Sequence, residues 1–396
     1  MDGLNQGRTL PAFLPEKPAG KEPRSLAARL RLWRSGLIAS PAFRRLAARL
    51  PLLRRIANRK ANGLFRLTTG FVHSRLLGAC VRFGIFDLLA DRGLSTATLA
   101  DATGLTPARL RLLLEQAQRL DLVIEAEPDL WMLDDAGAVI AGDPGLAAMI
   151  LHHDMFHRDL DRLEDLLTGS VTVTETETEL GRFWAYARGG TVKSLAEDEV
   201  APYSTLMRQS QAMMADAILT AHDFGGYRRL LDLGGGDGAF LAAAGADYPR
   251  LELLLFDLPA VAERARRHLA EQGLAGRSGI MGGDFHTDTL PDAADAVILI
   301  RILCDHDDEA VRHLLVRLHQ ALRPGTTIII AEAMAGPSDG AKLAAVYFST
   351  YFLAMGSGRC RSAQAIRDLL TEAGFRSPRI QACANPLLAT IVSATR

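Results

Sequence analysis

The sequence predicts an α/β chain: a doubly wound, largely parallel sheet in its C-terminal part, preceded by a helical region carrying a winged helix. Three observations predict it. From Arg228 onward, apolar runs at 229–233, 252–256, 278–281, 295–300 and 326–331 alternate with helical patterns, the rhythm of βα units. The first run breaks into Gly234, Gly235, Gly236 and Gly238 and resumes as an alanine-rich helix. Glycines in such a strand–turn–helix keep side chains from blocking a ligand at the backbone. Upstream, Leu94–Leu114 reads as a short helix ending at Gly104 and a second starting at Pro107, and Val123–Leu133 reads as a hairpin wing turning around Glu127-Pro128-Asp129.

Length and composition fit a soluble two-domain protein: 396 residues, 48% apolar, 23% charged, net charge −1. The near-neutral total argues against bulk nucleic-acid binding. Cys80, Cys304, Cys360 and Cys383 are scattered without CxxC spacing, so neither a zinc site nor a disulfide framework is expected. No run reaches the ~18 apolar residues of a membrane span, and the N-terminus lacks an apolar signal core. The expected location is the cytoplasm.

In chain order, residues 1–23 are rich in Pro, Gly and Lys and read as a disordered lead. From Arg24 to Lys60 eleven basic residues and no acid interleave with Leu26, Leu30, Trp33, Leu37, Phe43, Leu46 and Leu53. Two readings stay open for this arm: a peripheral contact with an anionic membrane, or a helix packed on a dimer partner. The expected division is a basic arm over 1–60, a helical winged-helix-like domain over 61–224 and a sheet domain over 225–396. The helix-turn-helix raises a DNA-binding regulator as a rival, with Arg109, Arg111 and Arg119 as candidate contacts. Against it, Leu110, Leu112, Leu113 and Leu114 require much of the second helix to be buried.

Residues 143–224 look helical and aromatic-rich. His153 and His157 share a helical face, yet with His152, Asp154 and Asp159 they complete no recognised metal spacing. A structural or acceptor-facing role is expected instead, and no metal. Phe156, Trp184, Tyr186, Tyr203, Met207 and Met213 are large apolar side chains at irregular spacing. Core packing explains most of them, and a subset is expected to wall a cavity for a greasy ligand. Val171–Glu179 alternates in polarity and reads as an exposed loop. In the C-terminal part, Phe348, Tyr351, Phe352 and Met355 form a helical stripe open to the same two readings.

The ligand follows from the strand ends. Asp257 closes the second run about 20 residues past the glycines, where an acid suits the two hydroxyls of a ribose. The glycines run GxGxG rather than GxGxxG, and Asp232 and Asp237 flank them. Acids there repel phosphates but hold an amino group and tolerate a sulfonium. Asp284 and Phe285 close a third strand, as if an acid met the adenine amino group and a ring covered its face. The three features together point to S-adenosylmethionine, with S-adenosylhomocysteine as product. Gly234, Asp257, Asp284 and Arg301 all fall at or just after carboxyl ends of strands, where doubly wound sheets bind ligands.

Leu-Leu-Asp-Leu-Gly-Gly-Gly-Asp-Gly (230–238), Phe-Asp-Leu-Pro (256–259), Gly-Gly-Asp-Phe (282–285), Arg-Ile-Leu-Cys-Asp-His-Asp-Asp-Glu (301–309) and Ile-Ala-Glu (330–332) resemble the class I small-molecule O-methyltransferases. This is the family of dimeric plant phenolic and acetylserotonin enzymes. The resemblance covers about residues 60–396. Residues 152–160 and 178–186, with the basic N-terminal region, are most similar to bacterial 1-hydroxycarotenoid O-methyltransferases. The resemblance implies a Rossmann-like methyltransferase domain, a homodimer built through the winged-helix region, and a cofactor set of Asp232, Gly234, Gly236, Asp257, Leu258, Asp284, Phe285 and Arg301. It also implies an acceptor set for which Phe156, Trp184, Met207, Phe348 and Phe352 are the candidates.

One position departs from the family. Where its catalytic histidine stands in a Leu-His-Asp-Trp-like motif, this chain has Leu303-Cys304-Asp305-His306. A thiol serves as base only with a lowered pKa. His306 is the candidate base, set against water or no dedicated base and against the reading that it rides in an acidic helix start, and Glu332 matches the acid that orients the family histidine. The loss fits a tertiary aliphatic alcohol, too weak an acid to be deprotonated before attack, better than it fits a phenol. The expected function is methyl transfer to a hydroxyl of an apolar molecule, foremost the tertiary 1-hydroxyl of an acyclic carotenoid. The alternatives are a phenolic or polyketide acceptor, a chain that has lost activity, and the regulator above.

Overall fold

In a computed structural model of the chain, residues 25–169, 178–187, 211 and 213–396 are described. They form two compact units, Met1–Arg75 and Leu76–Arg396. The described part of the first unit is helical: Leu26–Ala39, Pro41–Arg49 and most of Pro51–Arg82. Ser25 caps the first helix, accepting from the Ala28 N–H at 3.2 Å. Pro41 and Pro51 each open a new helix, where a missing N–H costs nothing. Ala47 is the only buried residue among those described in this unit, while Leu26, Leu30, Trp33, Leu64, Phe65, Leu67 and Phe71 are exposed. No helix among the described residues is long and apolar enough to cross a membrane.

In the second unit the expected helix-turn-helix and wing are present. Helix Thr96–Thr103 starts at Ser95 and ends on Gly104, whose φ of 71° is the left-handed value that favours glycine there. Helix Pro107–Gln118 follows, then the antiparallel pair β1 (Val123–Glu127) and β2 (Leu130–Leu133). Leu99, Leu110, Leu114, Val123 and Trp131 are fully buried between them, and the Trp131 Nε1–H donates to Thr96 Oγ1 at 3.0 Å. Arg111 bonds Glu115 and Glu125 and lies 5.9 Å over the Trp131 ring. Its charge is thus answered within the domain rather than offered to a phosphate backbone.

Helices Pro144–Leu160, Leu163–Thr168 and Glu179–Ala187 lead toward the sheet domain. Of the run expected as an exposed loop, 171–177 lies outside the described residues. Thr178 departs from that expectation: it is buried, its Oγ1 donates to the Ala354 carbonyl at 2.7 Å, and it accepts from the Gly181 N–H to cap the helix.

The sheet has seven strands: β3 (Arg229–Leu233), β4 (Glu252–Asp257), β5 (Ser278–Gly282), β6 (Ala296–Ile300), β7 (Thr327–Glu332), β8 (Arg376–Ala382) and β9 (Thr390–Thr395). Their order is β5-β4-β3-β6-β7-β9-β8, with the first five parallel and β9 antiparallel to both neighbours. The expected parallel core stands. Leu230, Leu231, Leu233, Val297, Ile298, Ile328 and Ile330 are completely buried, as a parallel sheet covered on both faces requires. From β3 the chain steps outward to β4 and β5, then crosses back to β6 on the other side. The switch between β3 and β6 opens the crevice in which such sheets bind ligands. The β8–β9 pair has no counterpart in the sequence reading. Its first strand is Arg-Ser-Pro-Arg-Ile-Gln-Ala, interrupted by proline and bulged between Arg376 and Arg379, so no alternating apolar signal reveals it.

Candidate active site

At the carboxyl end of β3 the backbone turns through Gly234 (φ 75°) and Gly236 (φ 60°). A Cβ on Gly235 would lie 2.7 Å from the Asp232 carboxylate, so the loop closes directly over that acid. Asp257 ends β4 and is tied to the same loop. The Gly236 N–H donates to its Oδ2 at 2.8 Å and the Leu258 N–H to its Oδ1 at 2.6 Å. Burial raises the Asp257 pKa, and these two donors oppose the rise. Asp232 is 1% exposed and neither of its oxygens has a partner among the described residues. Burial, then the charge of Asp257, pushes its carboxyl up to about 8.

After β5, Asp284 Oδ1 accepts from the His286 N–H at 2.8 Å. The Phe285 ring sits across the loop, 3.7 Å from where a Cβ on Gly234 would be. The buried Asp232 carboxylate with its unused lone pairs, with Asp257 and Asp284 at the neighbouring strand ends and glycines that keep side chains away, matches a ligand offering amino and hydroxyl donors. Phosphate would be repelled. S-adenosylmethionine fits this donor demand. Gln211, which sequence reasoning missed, joins the loop: its Nε2 is 3.1 Å from the Cβ position of Gly236 and its Oε1 is buried without a partner among the described residues.

A cavity of about 90 Å³ is walled by Met149, Met213, Met214, Trp184, Phe348, Phe352, Leu387 and Leu388, with His152, Arg301, Cys304, Asp305, Tyr347 and Tyr351 as its polar groups. Arg301, expected with the nucleotide set, stands on this wall, and its left-handed backbone (φ 56°) is unusual for a side-chain-bearing residue. Cys304 and Asp305 belong to a 3-10 turn, Leu303–Asp305, that is clamped from behind. The buried Arg361 donates to the Leu303 carbonyl (2.6 Å), the His306 carbonyl (2.8 Å) and Asp308 (2.7 Å), and the Arg359 N–H donates to the Cys304 carbonyl (2.7 Å).

Glu332, fully buried at the end of β7, accepts the Cys304 N–H on Oε2 at 3.0 Å and has no partner on Oε1 among the described residues. Burial raises its pKa to about 7, against the pull of that bond. The Cys304 thiol is driven well above its ordinary value by burial and by the charges of Asp305 and Glu332. It stays protonated and unreactive.

The predicted residues thus separate into groups. Asp232, Gly234, Gly236, Asp257, Leu258, Asp284 and Phe285 gather at the crevice, while Trp184, Phe348 and Phe352 line the cavity beside it. Phe156 is buried one layer behind, its ring 5.2 Å from that of Tyr351. Met207 and Tyr203 lie outside the described residues. His306 departs from expectation. Beyond the 3-10 turn its backbone is extended, and its ring packs edge-on against Phe285 (5.8 Å) and His286 (4.9 Å), off the cavity wall. The imidazole on that wall is His152. His152 Nε2 pairs with the Tyr351 hydroxyl and His153 Nε2 with the Tyr347 hydroxyl, each at 2.7 Å. Two adjacent histidines and two tyrosines four apart were the signal for this seam. Leu387 and Leu388 come from the loop before β9 and carried none.

An O-methyltransferase domain family matches residues 168–376. The chain is 44% identical over 361 residues to the demethylspheroidene O-methyltransferase of Cereibacter sphaeroides, covering 91% of this chain and 93% of that protein. It is 38% identical to the protein of the same name from Rhodobacter capsulatus, covering 88% of this chain and 85% of that one. Among solved structures, human N-acetylserotonin methyltransferase in complex with SAM superposes with a TM-score of 0.70 at 25% identity, covering 85% of this chain and 97% of that one.

Proposed function

The chain belongs to the O-methyltransferase family and uses S-adenosylmethionine, and from that premise we propose that its acceptor is the tertiary 1-hydroxyl of an acyclic carotenoid. One observation carries the choice: the cavity is walled by methionine, leucine and aromatic side chains and has a protonated thiol at the position of the family's base. The names of the two relatives at 44% and 38% identity support the same reading.

When bound, S-adenosylmethionine supplies an electrophilic methyl group on a sulfonium. In this reading Asp257 holds the ribose hydroxyls, Asp232 and Gln211 face the amino-acid end, and Asp284 with Phe285 takes the adenine. Leu258 offers its backbone beside Asp257. Trp184, Phe348 and Phe352 grip the polyene end and exclude water, so alignment and desolvation carry most of the rate. Glu332 fixes the backbone of Cys304 rather than a histidine ring.

The test is incubation with methyl-labelled S-adenosylmethionine and a panel of demethylspheroidene, a simple phenol and a polyketide phenol. Label is expected in demethylspheroidene. Label in the phenols alone would sink the carotenoid reading.

The exposed apolar stripe Leu64, Phe65, Leu67 and Phe71 supports a homodimer in which a second copy covers it. The acid-free helices before it suit a peripheral contact with an anionic membrane of the cytoplasmic face. Deleting residues 1–60 should abolish sedimentation with anionic liposomes and spare cofactor binding; a full chain that never sediments rules the contact out.

A further inference from the structure

The reaction needs somewhere for the acceptor's proton to go, and neither Cys304 nor His306 provides it. The Cys304 thiol is already protonated, and His306 is off the cavity. His152 is different. It comes from helix Pro144–Leu160, outside the strand-end motifs of the sheet domain, yet lines the same cavity as Cys304 and Asp305. Its Nε2 is engaged by the Tyr351 hydroxyl at 2.7 Å, and the Tyr351 oxygen also receives the Trp184 Nε1–H at 2.8 Å. The ring packs at a tilt against Phe183, centroid to centroid 4.8 Å. Its Nδ1 is buried and has no partner among the described residues. A polar atom in that condition is unfavourable unless a ligand completes it.

We propose that His152 Nδ1 accepts the hydrogen bond of the acceptor hydroxyl and takes its proton during methyl transfer. This rests on the reading of the chain as a methyltransferase acting on an alcohol. As an acceptor-oxygen lone pair forms the new O–C bond, the C–S pair returns to sulfur. The O–H proton passes to Nδ1, its bonding pair staying on oxygen.

Tyr351 suits the task because a phenol hydroxyl both donates and accepts. Its oxygen has two lone pairs, one for the Trp184 N–H and one for an Nε2–H. The ring can therefore carry its proton on Nε2, present a lone pair at Nδ1, and remain hydrogen-bonded after Nδ1 is protonated. Burial, with the neighbouring charges of His153 and Arg301, lowers the His152 pKa to about 4. Such a ring is neutral and ready at neutral pH. It is too weak a base to deprotonate a resting alcohol, but ample for the strongly acidic proton of an oxygen already bonding to the methyl group. This is the late proton transfer that a tertiary alcohol demands.

Two substitutions separate the ring nitrogens. In His152→Asn a side-chain oxygen overlays Nδ1 but cannot take the proton, and the Tyr351 contact is lost. In His152→Gln the amide overlays Nε2, keeps Tyr351 and empties the Nδ1 position. With demethylspheroidene in detergent as acceptor, His152→Asn should hold KM within about 5-fold and lose on the order of 10²-fold in kcat. His152→Gln should lose kcat at least as far. It should also bind the alcohol about 10-fold more weakly without cofactor, as read from the polyene absorption. S-adenosylmethionine affinity and melting temperature should change in neither. A His152→Gln variant as active as wild type would make the ring merely structural and overturn the assignment, as would unchanged kcat in His152→Asn. A wild-type chain inactive on every alcohol would instead overturn the acceptor reading on which the assignment depends.

Discussion

Asp257→Ala lowers the affinity for S-adenosylmethionine on the order of 10- to 10²-fold. A hydrogen bond to a charged group contributes roughly 1.5–3 kcal/mol, and each 1.4 kcal/mol is about tenfold in affinity. Two effects add. The ribose loses its carboxylate, and the N–H groups of Gly236 and Leu258 lose the acceptor that fixes the glycine loop. Titration calorimetry on a variant with a normal melt measures the loss, and unchanged affinity contradicts the assignment. The same titration on wild type reports on Asp232. Its carboxyl is raised to about 8 without a ligand, so at pH 7 it is protonated. Donors from the ligand favour the charged form and lower that pKa. Binding at pH 7 should therefore release close to one proton, and affinity should tighten as pH rises toward 8. Heats measured in buffers of different ionisation enthalpy give the proton count, and net uptake is the contrary result.

Arg361→Leu destabilises the protein by about 3 kcal/mol and removes most activity. Losing one partner of a buried charged network typically costs 3–5 kcal/mol. The lower end applies because Asp308 is 35% exposed and keeps Arg359 as a partner. The carbonyls of Leu303 and His306, however, lose their donor, and the turn presenting Cys304 and Asp305 to the cavity is released. Denaturant unfolding reads the first effect. The second appears as a fall in kcat with S-adenosylmethionine affinity within about 3-fold, since Arg361 touches no part of the glycine loop. A variant as stable and active as wild type would mean that the turn holds its shape without the guanidinium.

The cofactor crevice was legible because its residues are fixed by local rules. A strand must end, a glycine must take a left-handed φ, and an acid must sit at the next strand end. Asp232, Gly234, Gly236 and Asp257 obey those rules within one βαβ unit. The apolar cavity was only half legible. Trp184, Phe348 and Phe352 are aromatic enough to be suspected, but Phe156 has the same character and packs behind the wall. Its position depends on how two helices cross, which no local spacing encodes. The place of His306 was hidden for a related reason. Two residues beyond Cys304 in sequence, it lies across a 3-10 turn, and the extended backbone carries its ring to Phe285 instead. His152 was visible only as one of three histidines given a structural or acceptor-facing role, with nothing to single it out among them. Its partner Tyr351 is 199 positions away. Strand β8 escaped because proline and a bulge erase the alternation that would announce it.

The central claim is that a site with a thiol in place of the family's histidine is fitted to a weakly acidic alcohol rather than a phenol. The direct measurement is kcat/KM for wild type, Cys304→Ala and Cys304→His on two acceptors, demethylspheroidene and a phenol carrying a comparable apolar tail. Cys304→Ala should stay within about 3-fold of wild type, because the thiol takes no proton. Cys304→His brings an imidazole to the backbone position already bonded to Glu332. It should raise the phenol reaction by about 10-fold or more and the alcohol reaction by little. Wild type should prefer the alcohol. A wild type faster on the phenol, or a Cys304→Ala variant with a normal melt and no activity on either acceptor, would contradict the account.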